Sequence, residues 1–236
     1  MAGRFIANLE NYGRLDEAAR QALAGLAGPS RGFRAGSDLI EEGHPSDSLL
    51  VLLKGQAFRH QTLPDGRRQI LSFHVPGDPL DLQRLFAEPD YSVSALSAVE
   101  VAQVSRSGLL QVMDEHPQVW RALWRLSLME GAIYRAWMVG MGRRSAYARV
   151  AHLLCEVFTR LASVGESEGW RCPFPATQAH ISDSLGLSVV HTNRVLRALQ
   201  RDGLVSVQRR QIRVQNWAGL VAAGEFDPGY LQLDAA

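Results

Sequence analysis

The chain has 236 residues, 46% of them hydrophobic and 21% charged, with a formal net charge of +1. That length suits one large domain or two ordinary ones, and the composition excludes a disordered chain, a collagen-like repeat and a coiled-coil rod. The near-neutral total conceals an asymmetry: residues 141–216 carry eleven Arg against five acidic residues, net +6, which leaves the rest at −5 and suits that stretch to a polyanionic partner.

The longest charge-free windows, such as Val214 to Gly224, are too short to cross a bilayer, and Met1 to Leu15 lacks the apolar core of a signal peptide. A soluble cytoplasmic protein with no membrane partner is expected. Cys155 and Cys172 form no CxxC pair, which excludes a disulfide framework and a four-thiolate metal or iron–sulfur site.

Between Arg31 and Ser105, Gly32, Gly43, Gly55, Gly66 and Gly77 punctuate apolar runs every 11 or 12 residues. This beat predicts short antiparallel strands in an all-β roll or sandwich. Leu49 to Leu53 form an unbroken apolar run, the mark of a strand covered on both faces, and Pro64-Asp65-Gly66 suits a hairpin turn. Leu71, Phe73 and Val75 alternate with Ser72 and His74, and Val93, Ala95, Val99, Val101 and Val104 extend the β character.

After Ser107 the pattern becomes helical. Val119, Leu123, Leu126, Glu130, Ile133 and Trp137 fall on one stripe, beside a second row of Trp120, Trp124, Tyr134, Met138 and Met141. Two rows serve two partners, the β domain and a second copy of the chain. Leu123, Leu126, Ile133 and Trp137 are assigned to the interface between copies. Gly140-Met141-Gly142 marks a hinge, helix resumes through Ala148, Val150, Leu153, Leu154 and Phe158, and Gly165 to Pro175 reads as a loop. Cys155 falls in apolar helix; Cys172, in that loop, is the better redox candidate.

Residues 177–203 hold the most informative spacing. Ala179, Ile181 and Leu185 give a short amphipathic helix, Gly186 permits a left-handed turn, and Leu187 plugs the corner. Ser188 caps a second helix whose inward side is Thr192, Val195, Leu196 and Leu199, ended by Gly203. This is a helix-turn-helix. Its outward side, Val189, Val190, His191, Asn193, Arg194 and Arg197, offers donors, acceptors and methyl contacts to base edges in a major groove. Arg194 suits bidentate bonding to guanine. Two strand-like halves then surround Arg209 and Arg210, a wing placed to touch phosphate.

Together these parts resemble the Crp/Fnr superfamily of bacterial transcription regulators over residues 30 to 222. The glycine-punctuated segment is similar to its cyclic-nucleotide-binding β-roll, 110 to 140 to its dimerisation helix, Arg143 to Ala151 to its linking helix, and Leu185-Gly186-Leu187-Ser188 through Gly203-Leu204 to its helix-turn-helix. The resemblance implies an α+β chain: residues 1–116 a sensor β-roll with an N-terminal helical segment, 117–142 the dimerisation helix and hinge, and 143–236 a winged helix-turn-helix. It further implies a homodimer on an inverted repeat in double-stranded DNA, with RNA polymerase and an unknown small-molecule effector as candidate further partners; the residues themselves point to no enzyme activity, metal or cofactor. In the family an Arg-Glu pair stands near the recognition-helix start and an Arg follows. Arg194 matches the latter, while Val189 and Val190 replace the pair, which implies a different operator.

In cyclic AMP receptors a cassette resembling Gly-Asp-Phe-x-Gly-Glu-Leu, then Arg-Ser-Ala, holds ribose through Glu and phosphate through Arg. Here Gly77-Asp78-Pro79-Leu80-Asp81-Leu82-Gln83 puts Leu82 in the ribose position, and no Arg-Ser-Ala lies near Tyr91-Ser92-Val93. A buried phosphate without a cation is costly, so the effector is changed or absent. Leu71, Phe73, Gly77, Asp78, Leu82 and Arg84 are the candidates to line any pocket, with Arg84 more readily a solvated residue than a phosphate ligand.

Two rivals stand beside this reading. One is a sensor of the same β fold acting on protein partners; the other is an enzyme using Asp78, Asp81 and Glu88 with a histidine. No GxSxG, HExxH or phosphate-loop motif occurs, and Gly140 to Ser145 lacks the third glycine of a dinucleotide loop. His44, His60 and His74 leave a haem or other metal open as an alternative, although no pair of them has ligand spacing.

Overall fold

The computed structural model describes residues 2–233, and the chain forms two compact units. The first holds the residues up to Gln61, Phe73–Gly131 and the chain from Leu231; the second holds Thr62–Ser72 and Ala132–Tyr230.

Two short helices, α1 (Ala2–Glu10) and α2 (Glu17–Gly25), precede the strands β1 (Ala27–Phe33), β2 (Asp38–Ile40), β3 (Ser48–Lys54), β4 (Ala57–Thr62), β5 (Arg68–His74), β6 (Ser92–Ala95) and β7 (Val99–Ser105), all in the first unit except residues 62–72. Two sheets result, in the orders β1-β7-β3 and β2-β6-β4-β5. The apolar run sets the register of β3 on β7, with Leu49 opposite Val104 and Leu52 opposite Val101. Leu49, Val51, Leu52 and Leu53 are buried, as a strand covered on both faces requires. Each such side chain contributes about 1.5–3 kcal/mol through burial. Gly55 shows why the glycine beat exists: at φ +80°, an added Cβ would lie 2.3 Å from the Ala98 carbonyl oxygen. The roll continues into α3 (Arg106–Glu115) and α4 (Pro117–Arg143).

The second unit contains the rest of α4, then α5 (Ala146–Ser163), β8 (Arg171–Pro173), α6 (Gln178–Leu185), α7 (Val189–Arg201), β9 (Val205–Gln208), β10 (Gln211–Val214) and α8 (Trp217–Gly224). Leu153, Leu154, Cys155 and Leu161 of α5 are fully buried. Ser145 starts this helix by accepting the Ala148 N–H at 3.2 Å. Residues 62–72 pack here as well: Arg68 Nη2 donates to Asp183 Oδ2 at 2.8 Å, and Gln69 Nε2 to the Ser184 carbonyl at 3.3 Å.

Several sequence expectations are corrected. Helix α4 runs unbroken through Gly140 and Gly142, and the chain breaks helix only at Arg144 and Ser145. A helical glycine costs about 1 kcal/mol relative to Ala, which the 27-residue α4 tolerates. The row assigned to the interface between copies, Leu123, Leu126, Ile133 and Trp137, is already buried within the single chain. The exposed apolar side chains of α4 are instead Trp120, Trp124, Leu128, Met138, Val139 and Met141. The supposed loop 165–175 contains β8, and Cys172 is buried in it opposite Ile212. Burial pushes its thiol up to about 12, which makes it inert rather than redox-active.

Candidate nucleic-acid interface

Thr177 opens α6 with a capping box, accepting the His180 N–H while the His180 ring accepts the Thr177 N–H. The helix stops at Gly186, φ 62° and ψ 39°, a left-handed conformation that glycine reaches without steric penalty. Ser188 then caps α7, accepting the His191 N–H at 3.2 Å. Thr192, Val195 and Leu199 face inward and are buried, Leu199 completely. Arg149 on α5 holds the assembly from behind by donating to the Leu185 carbonyl at 2.9 Å.

The opposite side of α7 is open. Val190 is 74% exposed and Val189 47%, and Arg194 and Arg197 are exposed beside them. Asn193 is half-buried and donates to Gln178 Oε1 at 3.0 Å, so its amide is oriented by a residue the sequence did not single out. His191 is likewise half-buried. Ser188 is spent on the cap.

The wing is a three-stranded sheet in the order β8-β10-β9, with Ile212 facing both Cys172 and Val207. Its two-residue turn is Arg209-Arg210, exposed and at φ 52° and 62°; left-handed backbone costs about 1–2 kcal/mol at each residue carrying a Cβ. Gln208 Nε2 donates to Gln200 Oε1 at 3.2 Å, which ties the wing to α7. Among the described residues, the side chains of Arg194, Arg197, Arg209 and Arg210 make no hydrogen bond or ion pair. Helix α7 and the wing turn thus present four unpaired guanidinium groups and two exposed valines to solvent.

The sensor candidates lie in the first unit, except Leu71, which falls in the 62–72 segment and is half-buried. Gly77, at φ +100°, lies under α1: a Cβ there would meet the Arg4 carbonyl at 2.8 Å. Asp78 is buried and consumed locally, accepting from the Val75 N–H at 2.9 Å and from Asn8 Nδ2 at 3.2 Å. Phe73 is core and Leu82 half-buried.

Arg84 is corrected from solvated to buried. Its Nε bonds Asp81, which also accepts from the Tyr91 hydroxyl at 3.0 Å. Beside them the buried Arg59 donates to the Leu80 carbonyl at 3.0 Å, lies 3.6 Å from Glu130, and sits 4.2 Å over the Tyr91 ring. The sequence reading missed Arg59 altogether.

Two family models match the chain: a cyclic nucleotide-binding domain over residues 30–116 and a Crp-like helix-turn-helix domain over residues 148–223. The nitrogen fixation regulation protein FixK of Bradyrhizobium diazoefficiens is 33% identical over 176 residues, 74% of this chain and 73% of that protein. The transcriptional activator protein FnrL of Cereibacter sphaeroides is 29% identical over 211 residues, covering 85% of this chain and 83% of that protein. The solved structure of FixK2 from Bradyrhizobium japonicum superposes with a TM-score of 0.75 at 28% identity, covering 84% of this chain and 96% of that one. Among the described residues no helix is long and apolar enough to cross a membrane. With both domains matched in order and relatives of this similarity, the chain belongs to the Crp/Fnr family of DNA-binding transcription regulators and is not an enzyme.

Proposed function

We propose that the protein acts in the cytoplasm as a homodimer that binds an inverted-repeat operator, with the two α7 helices in successive major-groove turns about 34 Å apart. The observation that carries this reading is the exposed face of Val189, Val190, Arg194 and Arg197 on α7, together with the exposed Arg209 and Arg210 at the wing turn. Arg194 reads guanine, the valines meet thymine methyl groups, and Asn193, aimed by Gln178, supports the adjacent position. The exposed apolar row of α4 supplies the surface for the second copy, since Trp120, Trp124 and Leu128 are solvent-facing in the single chain.

Operator binding does not require cyclic AMP. Leu82 stands where the resemblance places a carboxylate, and Arg84 is sealed against Asp81 instead of waiting for phosphate. The relatives named as transcriptional activators, FnrL among them, support contact with RNA polymerase, with the sign of regulation set by operator position. Any effector is a molecule of different chemistry.

Sedimentation and a salt-dependent gel shift test this. A dimer at micromolar concentration is expected, with a footprint spanning two half-sites and unchanged by cyclic AMP or cyclic GMP. Leu128→Arg puts a charge into the proposed contact, and the result expected is a monomer of native helicity with operator binding weakened. A Leu128→Arg protein that stays dimeric overturns the α4 interface. Tight cyclic-nucleotide binding by calorimetry overturns the effector reading.

A further inference from the structure

The wing turn is built against the preference of its own residues. Only Arg209 and Arg210 separate Gln208 from Gln211, which face each other across the ladder, and both arginines hold positive φ. Positive φ at both central positions is the backbone that Asn-Gly fills easily and that a side chain with a Cβ resists. Strain kept at an exposed tip points to function. Attraction to the phosphate chain does not require it, because Arg213, exposed on β10, offers a cation from an ordinary strand position.

The tip is also held in place. The Arg210 carbonyl accepts the Phe174 N–H at 2.8 Å, Phe174 is fully buried, and Gln208 is fastened to Gln200 near the end of α7. Gln200 lies six residues beyond Arg194, about 9 Å along the helix axis at 1.5 Å per residue, so the wing is tied to the end of α7 remote from its N-terminal residues. Recognition helices enter the groove with their N-terminal residues. With the N-terminal residues of α7 at the base edges, a wing tied to the far end of the helix is displaced toward the backbone, within reach of a neighbouring groove.

We propose that Arg209 and Arg210 enter the minor groove flanking each half-site and read its width, so that the operator extends into A·T-rich flanks. This rests on the DNA-binding reading above. A narrow A·T minor groove concentrates negative potential and draws in arginine, and sequence is then read through shape without base contacts.

The test uses the full-length protein and a pool of randomised duplexes. The selected core is then placed between A·T or G·C flanks, and affinities are measured for wild type and two variants. Arg209→Asn with Arg210→Gly relaxes the turn, so this variant is expected to fold at least as well as wild type. Arg209→Lys with Arg210→Lys keeps both charges but substitutes a compact, strongly hydrated ammonium. Wild type should prefer A·T flanks by about fivefold, the Asn-Gly variant by less than about twofold, and the Lys variant should keep the salt slope while losing most of the flank preference. Equal affinity of wild type for both flanks, or a flank preference retained by either variant, overturns the proposal. Failure to select any core overturns the DNA-binding reading instead.

Discussion

Two arginine clusters, one in each unit, are built in opposite ways. In the first, Arg59 and Arg84 are buried, each beside a carboxylate: Glu130 for Arg59 and Asp81 for Arg84. In the second, Arg194, Arg197, Arg209 and Arg210 are exposed, with no ion pair among the described residues. A buried charge is tolerated only where partners satisfy it, and removing one partner strands the other. An exposed guanidinium stays hydrated and available, and its fork fits phosphate and guanine. Burial decides which arginines hold the protein together and which seek a ligand.

The largest effect is expected inside the β-roll. Arg59→Ala leaves Glu130 with its carboxylate partly buried and the Leu80 carbonyl without this donor, and the expected loss is roughly 3–5 kcal/mol in denaturant unfolding. Arg59→Met combined with Glu130→Met should recover most of that loss, because two apolar side chains leave no stranded charge. A cost below about 1 kcal/mol for Arg59→Ala would show that water reaches the pair and that the charge network does not hold this unit together.

On the exposed side the effect is smaller and appears in binding rather than folding. Arg194→Ala should leave the unfolding midpoint unchanged and cost roughly 1–3 kcal/mol on the operator, relaxing preference at one base pair per half-site. The check is affinity for the selected operator and for a scrambled duplex over a range of salt. Equal losses on both duplexes would reduce Arg194 to a phosphate contact.

This contrast also explains what the sequence made legible. The helix-turn-helix could be read because its signals are local: Ser188 caps the residues next to it, Gly186 makes its own turn, and the inward positions of α7 follow a helical period. The exposed residues then follow by subtraction. The β-roll charge network could not be read that way, because Arg59, Asp81, Tyr91 and Glu130 come from separate elements and meet only through the topology. The two apolar rows of α4 are visible, but both look alike in sequence, so which one is buried within the chain had to come from packing. The tethers Gln178 to Asn193 and Gln200 to Gln208 were missed for a similar reason: glutamine carries no pattern until its partner is known.

The smallest effect expected is a dependence on pH that sets buried groups against one another. His152 on α5 is buried; burial lowers its pKa, the positive charge of Arg144 adds to the lowering, and its Nδ1 contact to the Gly224 carbonyl at 3.0 Å opposes it. His74 in the first unit is lowered chiefly by burial, with Asp78 opposing. Because the folded chain takes up these protons less readily than the unfolded one, stability is complete above the ordinary histidine value near 6.5 and declines as pH falls below it.

Glu156 works the other way. Burial raises its pKa even though Arg160 and hydrogen bonds from Tyr230 at 2.6 Å and Trp137 at 3.0 Å favour its charged form, so its penalty lifts as pH falls. His152→Gln removes one acid-sensitive group while keeping an amide that can donate to the Gly224 carbonyl. The denaturation midpoint of this variant should fall less than that of wild type between about pH 7.5 and 5.5. Glu156→Gln should steepen the same limb by removing the opposing group. Parallel curves for wild type and His152→Gln would show that His152 is protonated alike in the folded and unfolded chain, and its burial would then carry no acid sensitivity.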